Sequence, residues 1–158
     1  MKKIDFHIHT IPVNGKDAHF EFDLTKFQEF TDGLSIDAVA ITNHNLFDLK
    51  QFKEIAETLK NTTVFPGIEI DFEDGHLLLI SENENLDDFS QRCQSIKNEF
   101  ENGNKITTDK LKEIFVDLSL YLLIPHYDKR PKVRQSALDS LSDHIFSGEV
   151  QSPKKFHR

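Results

Sequence analysis

Short apolar runs alternate along this chain with amphipathic stretches, and that alternation restricts the fold more than any other feature of the sequence. Lys3 to His9 has strand character, and Leu24 to Asp32 reads as a short helix stopped by Gly33, with Phe27 and Phe30 on one face. Ile36 to Thr42 is a second strand. Leu46 to Lys60 carries Leu49, Phe52, Ile55, Ala56 and Leu59 at helical spacing, and Thr63 to Ile70 follows as a third strand. Glu73-Asp74-Gly75 has turn chemistry and predicts a hairpin to a fourth strand, His76 to Ile80. Polar helices are expected over Asp87 to Phe100 and Thr108 to Leu118. An apolar run, Tyr121 to Pro125, comes next, then a helix near Arg134 to Ser142 and a last strand near Ile145 to Val150. About six strands separated largely by helices predict an α/β fold, a mostly parallel sheet or a barrel, with functional residues at the C-terminal strand ends.

Composition sets outer bounds on this reading. At 158 residues one domain is expected, and fourteen phenylalanines supply bulky core material to a chain that is only 37% hydrophobic. Cys93 is the sole cysteine, which excludes an internal disulfide framework and fits a reducing, cytoplasmic setting. No apolar run in the sequence is long enough for a signal peptide or a membrane span. The net charge of -8 argues against a general nucleic-acid coating surface, although Lys129, Arg130, Lys132 and Arg134 form a local basic cluster.

Histidines fall at the strand ends. His7 and His9 are two apart, so strand alternation puts both on one face with Ile8 between them facing away. Two imidazoles side by side repel when protonated and are useful together as neutral ligands. The second strand delivers His44 into its following loop. The third carries Glu69 inside an apolar run, where an unpaired polar group costs roughly 2 to 7 kcal/mol and an ion more, so the position wants a cation. His76 opens the fourth strand and His126 closes the Tyr121 to Pro125 run, whereas His19, His144 and His157 fall elsewhere. Such a set of nitrogen and oxygen donors suits transition metals such as Zn, Mn or Fe.

Asp5-Phe6-His7-Ile8-His9-Thr10, Ile41-Thr42-Asn43-His44-Asn45, Gly67-Ile68-Glu69, Gly75-His76 and Pro125-His126, in that order, resemble the successive motifs of the PHP (polymerase and histidinol phosphatase) family. The resemblance implies a distorted seven-stranded β/α barrel, here with six strands and incomplete, over residues 1–150, with 151–158 as a tail or the start of a further segment. It also implies up to three divalent ions (Mn, Zn or Fe). His7 and His9 would hold the first with Glu69 bridging to a neighbour, His44 would serve a second, and His76 and His126 a third. The implied activity is hydrolysis of a phosphate ester, on a small molecule or a nucleic-acid end, by metal-bound hydroxide, with no catalytic residue beyond the ligands. Lys129 and Arg130 are candidates for holding the anionic substrate.

The sequence departs from the family pattern at three places. Asn43 stands where the family has aspartate, which implies a weaker outer shell. The loop ligand expected after His-x-His is offered by either Asp17 or His19. The closing Asp-x-His has no counterpart, because Asp143 and His144 are adjacent and would not point the same way. These departures admit a metal-binding or regulatory module without turnover, or the N-terminal part of a larger nucleic-acid-processing enzyme, with an ATPase as one partner domain. An unclosed barrel would also leave strand edges open to self-association or to completion by a further C-terminal segment.

Overall fold

The computed structural model describes residues 2–150; the expected tail, with His157, lies outside them. Six strands form one sheet in sequence order: β1 (Ile4–Ile8), β2 (Ala38–Ile41), β3 (Thr63–Phe72), β4 (Gly75–Ser81), β5 (Tyr121–Asp128) and β6 (Glu149–Val150). β1, β2 and β3 pair in parallel, β4 is antiparallel to both of its neighbours, and β6 is parallel to β5. β4 alone therefore runs backwards. Its first residues lie at the end of the sheet where the other strands finish, which is how His76 reaches the same edge as His44 and His126.

The helices are α1 (Leu24–Leu34), α2 (Leu49–Thr58), α3 (Leu86–Glu101), α4 (Thr108–Phe115) and α5 (Gln135–Ser140). Asp23, Asp48 and Thr107 cap α1, α2 and α4, each side chain accepting from a backbone N–H three residues on. Two expected stops moved. Gly33 lies within α1, and the helix ends at Ser35 in the left-handed region (φ 51°), whose N–H bonds back to Asp32 and Thr31 carbonyls. α4 ends at Phe115 because Val116 takes φ 52°, and Asp117 caps a separate 3-10 turn, Leu118–Leu120. Phe27 packs against the core whereas Phe30 is half exposed, so the two do not share a buried face.

One face of the sheet carries Val39, Ile41, Ile68, Ile70, Leu77, Leu79 and Leu123, which form a single core with Phe52 and Ile55 of α2, Phe89 and Ile96 of α3, and Leu111 and Phe115 of α4. The alternate positions face the other way. The sheet curls around that second face into a half-barrel, since side chains of β1 and β6 meet across it although the two strands are not paired: His7 Nδ1 is 2.7 Å from Glu149 Oε2. The final strand is shorter than expected. Among the described residues only Glu149 and Val150 pair with β5, while Ile145 makes an isolated bridge to Leu123. No helix among the described residues is long and apolar enough to cross a membrane.

The β3–β4 hairpin is tied down where it turns. Glu73 Oε1 accepts from the Thr108 N–H at 2.8 Å and from Thr108 Oγ1 at 3.0 Å, and Glu73 Oε2 accepts from Arg134 at 2.5 Å. Arg134, read as part of the basic cluster, thus pins the turn to the segment entering α5. Gly75 is required beneath it, because a Cβ there would lie 2.3 Å from both Lys132 C and Val133 N. Backbone cannot yield as a flexible side chain does, so Gly75→Ala should destabilise the chain by about 1 to 3 kcal/mol or more. Urea denaturation followed by circular dichroism measures this, and an unchanged midpoint would contradict the packing described.

Candidate metal centre

Glu69 sits on the concave face of β3, 1% exposed, with five imidazoles around its carboxylate. His7 Nε2 and His9 Nε2 stand 3.0 and 2.8 Å from Oε2, and His44 Nδ1 is 3.2 Å from the same oxygen. His76 Nδ1 and His126 Nε2 lie 2.8 and 3.3 Å from Oε1. Each position follows from the strands. β1 supplies His7, and His9 comes just past its end; His44 bridges in parallel to Glu69 beyond β2; β4 begins Gly75-His76; and β5 carries His126.

Three adjoining groups of donors emerge, each able to hold an ion: His7 with Glu69 and His126, His9 with Asp17 and His44, and His44 with Asp71 and His76. All six predicted ligands are brought together, but their grouping differs from the one the motifs implied. His7 and His9 share a face yet serve different groups, and His7 joins His126 from the far side of the half-barrel. Of the two loop candidates, Asp17 reaches the centre, its Oδ1 2.7 Å from His9 Nδ1 and 3.8 Å from His44 Nε2, while His19 is exposed. Asp143 and His144 lie in a 3-10 turn (Ser142–His144) and belong to none of these groups.

The donors fit divalent transition metals. A carboxylate offers about four lone-pair directions, fewer than the five imidazole nitrogens crowding it. His44 Nδ1 and His126 Nε2 are buried with no hydrogen-bond partner among the described residues, although each lies within 3.3 Å of a Glu69 oxygen. Nitrogen lone pairs and carboxylate oxygens so placed are reconciled by a cation between them, and mixed imidazole and carboxylate sets suit Zn, Mn and Fe. The tautomers fit as well. His126 Nδ1 faces the Pro131 carbonyl at 3.2 Å and His9 Nδ1 faces Asp17, which leaves Nε2 of each ring turned to Glu69.

Protons do part of this balancing in the metal-free protein. Burial opposes charge on His7, but its hydrogen bonds to Glu149 and Glu69 outweigh that and raise it to about 9. His76 is raised too, burial being outweighed by Asp71 and Glu69. His44 goes the other way: burial, then the neighbouring His9 and His76, push it down to about 4 against the pull of Glu69. Glu69 is held far below the ordinary carboxylate range, because the surrounding imidazoles overcome its burial, and Asp71 is lowered to about 2 against burial by His76 and Lys16.

Several neighbours of the ligands had not been singled out in the sequence. Asp71 lies two residues after Glu69 on the same strand face, the spacing that marked His7 and His9. Lys16 places its ammonium 2.5 Å from Asp71 Oδ2, and Glu149 approaches His7 and His126 from β6. Of the substrate-binding candidates, Lys129 lies at the centre, 2.7 Å from Glu149 Oε1 and 3.1 Å from His7 Nδ1. Arg130 is exposed and lines a surface depression with Asp74, Pro131 and Lys132. Asn43 holds the backbone: its Oδ1 accepts from the N–H groups of Thr10 and Ile11 at 2.6 and 2.9 Å, fixing the loop that leaves His9.

Neither a protein-family model nor a curated protein matches this chain. Among solved structures, the fold is similar to that of a candidate metal-dependent phosphoesterase from Bifidobacterium adolescentis, with a TM-score of 0.53 and 14% identity, covering 94% of this chain and 77% of the other. That likeness is one of fold alone.

A neutral imidazole ligates and a protonated one does not, so metal must displace the proton that His7 carries below about pH 9. Titrating manganese or zinc into the metal-free chain at pH 7.5 should release roughly one proton or more, and release should decline as the pH rises towards 9. Calorimetry in buffers of different ionisation enthalpy reads this directly. The double variant His7→Ala, His9→Ala should bind less than a tenth as tightly, and metal uptake without proton release would contradict the ligation described.

Proposed function

We propose that the chain is a metal-dependent phosphoesterase of the PHP type, hydrolysing a phosphate ester to an alcohol and phosphate. The observation that carries this is the three adjoining donor groups, two of them joined through His44, along one end of the sheet. An array of that kind suits an anion with several oxygens to be held at once.

Divalent ions at these groups would supply positive charge for the phosphoryl oxygens and lower the pKa of a coordinated water towards neutrality. The chain's own residues set the stage. Glu69, ionised at any working pH and touching all five imidazoles, keeps neighbouring donor groups at fixed separation. Asp17 orients His9 and brings the β1–α1 loop against the site, with the Val13 N–H bound to Asp17 Oδ2 at 2.8 Å. Lys16 and Lys129 stand beside Asp71 and Glu149, and their ammonium groups would add positive charge for an oxyanion laid across the array. No side-chain nucleophile is called for, and Cys93 is buried on the core-facing side of α3.

The reading as a metal-binding module without turnover leaned partly on Asn43. The amide is 2% exposed and engaged with Thr10 and Ile11, so its work is to hold a loop, which needs no charge. That removes one ground for the module without turnover. The purified chain with manganese should release phosphate from an aryl phosphate, and Glu69→Ala should lower kcat/KM by at least about a hundredfold, as loss of a group shared by several donors implies. Metal uptake without any phosphate release from monoesters or from nucleic-acid ends would support the module without turnover instead.

A further inference from the structure

The parallel register of β6 against β5 sets Glu149 beside His126. Residues in register on adjacent strands project to the same face, so the backbone alone carries the Glu149 carboxylate into the space the His126 ring enters. Its Oε2 lies 2.7 Å from His7 Nδ1 and 3.1 Å from His126 Nε2, and its Oε1 receives Lys129 at 2.7 Å.

His126 is the second observation. Its side chain is 2% exposed, its Nδ1 faces the Pro131 carbonyl, and in the neutral tautomer this allows, Nε2 presents a lone pair. That nitrogen lies between two carboxylates, Glu69 at 3.3 Å and Glu149 at 3.1 Å, and hydrogen-bonds to neither. A neutral imidazole lone pair facing two anions is unfavourable in a buried place, and a positive charge where the three converge, a proton or a metal ion, makes every contact attractive.

We propose that Glu149 is an anionic metal ligand that completes the His7, Glu69 and His126 group, with Lys129 positioning its second oxygen. This rests on the reading of the cluster as a metal centre. It makes β6 a functional element, bringing an anionic donor to the group from the strand next to β5. The bland alternative is that Glu149 only orients His7 through Nδ1, as outer carboxylates commonly do.

Cobalt separates the two. The metal-free wild type, Glu149→Gln and Glu149→His are checked for folding by circular dichroism, loaded with Co(II) by equilibrium dialysis, and read by metal analysis and visible absorption. Glu149→Gln should lose one equivalent, or hold one at least about a hundredfold more weakly than the wild type with an altered visible band. Glu149→His, which exchanges an oxygen donor for nitrogen, should recover that equivalent with a spectrum unlike the wild type's. Full stoichiometry and a wild-type spectrum in Glu149→Gln, even with weakened affinity, would overturn the proposal and leave Glu149 an outer partner of His7. If Glu149→Gln does not fold, a wild-type spectrum in Glu149→His overturns it equally. A wild type that takes up no cobalt would remove the metal centre itself, and this proposal with it.

Discussion

Glu69 puts one ionised carboxylate at the centre of five imidazoles inside a curled sheet, and most of the molecule's design follows from keeping it there. A buried carboxylate without compensation costs several kcal/mol. Here the compensation arrives from four other strand ends and a loop, which is why β1, β2, β4 and β5 must all finish or begin at the same edge. In the metal-free state the balance is kept by protons, with His7 and His76 raised and His44 lowered. Under the proposed function the same array takes dications in place of protons. Folding, acid-base state and metal loading are thereby coupled through one side chain.

The reversal of β4 matters as much as the donors themselves. A sheet with only parallel strands would send the start of the fourth strand to the opposite edge and leave His76 far from Glu69. The Glu73-Asp74 turn, locked by Thr108 and Arg134, keeps His76 in register opposite Asp71, and Gly75 lets the Lys132–Val133 backbone pass close beneath it. Asn43 does comparable work on the other side by holding Thr10 and Ile11. The side chains of these residues belong to none of the donor groups, yet the geometry of the centre depends on them.

Much of this was legible in the sequence because the signals are local. Strand alternation put His7 and His9 on one face, and an apolar run interrupted by Glu69 announced a buried charge. The hairpin could be read from Glu73-Asp74-Gly75. Asp71 carried the same two-residue signal as the histidines. What could not be read is set by non-local register: the meeting of His7 with His126 and Glu149, the separation of His7 and His9 into different groups, and the approach of Lys129 rather than Arg130. Helix ends moved for a related reason, since a residue with positive φ ends a helix and Ser35 and Val116 carry no compositional sign of it. The fold likeness to the Bifidobacterium adolescentis protein agrees with the α/β reading.

The central claim is that this cluster holds metal ions between its imidazoles and Glu69. Crystals grown with manganese and measured at the manganese absorption edge test it most directly, through the anomalous difference map. The account predicts peaks within bonding distance of Glu69 and of nitrogens from His7, His9, His44, His76 and His126, divided among the three donor groups. A map with no peak there, or with manganese only at surface carboxylates, would contradict it.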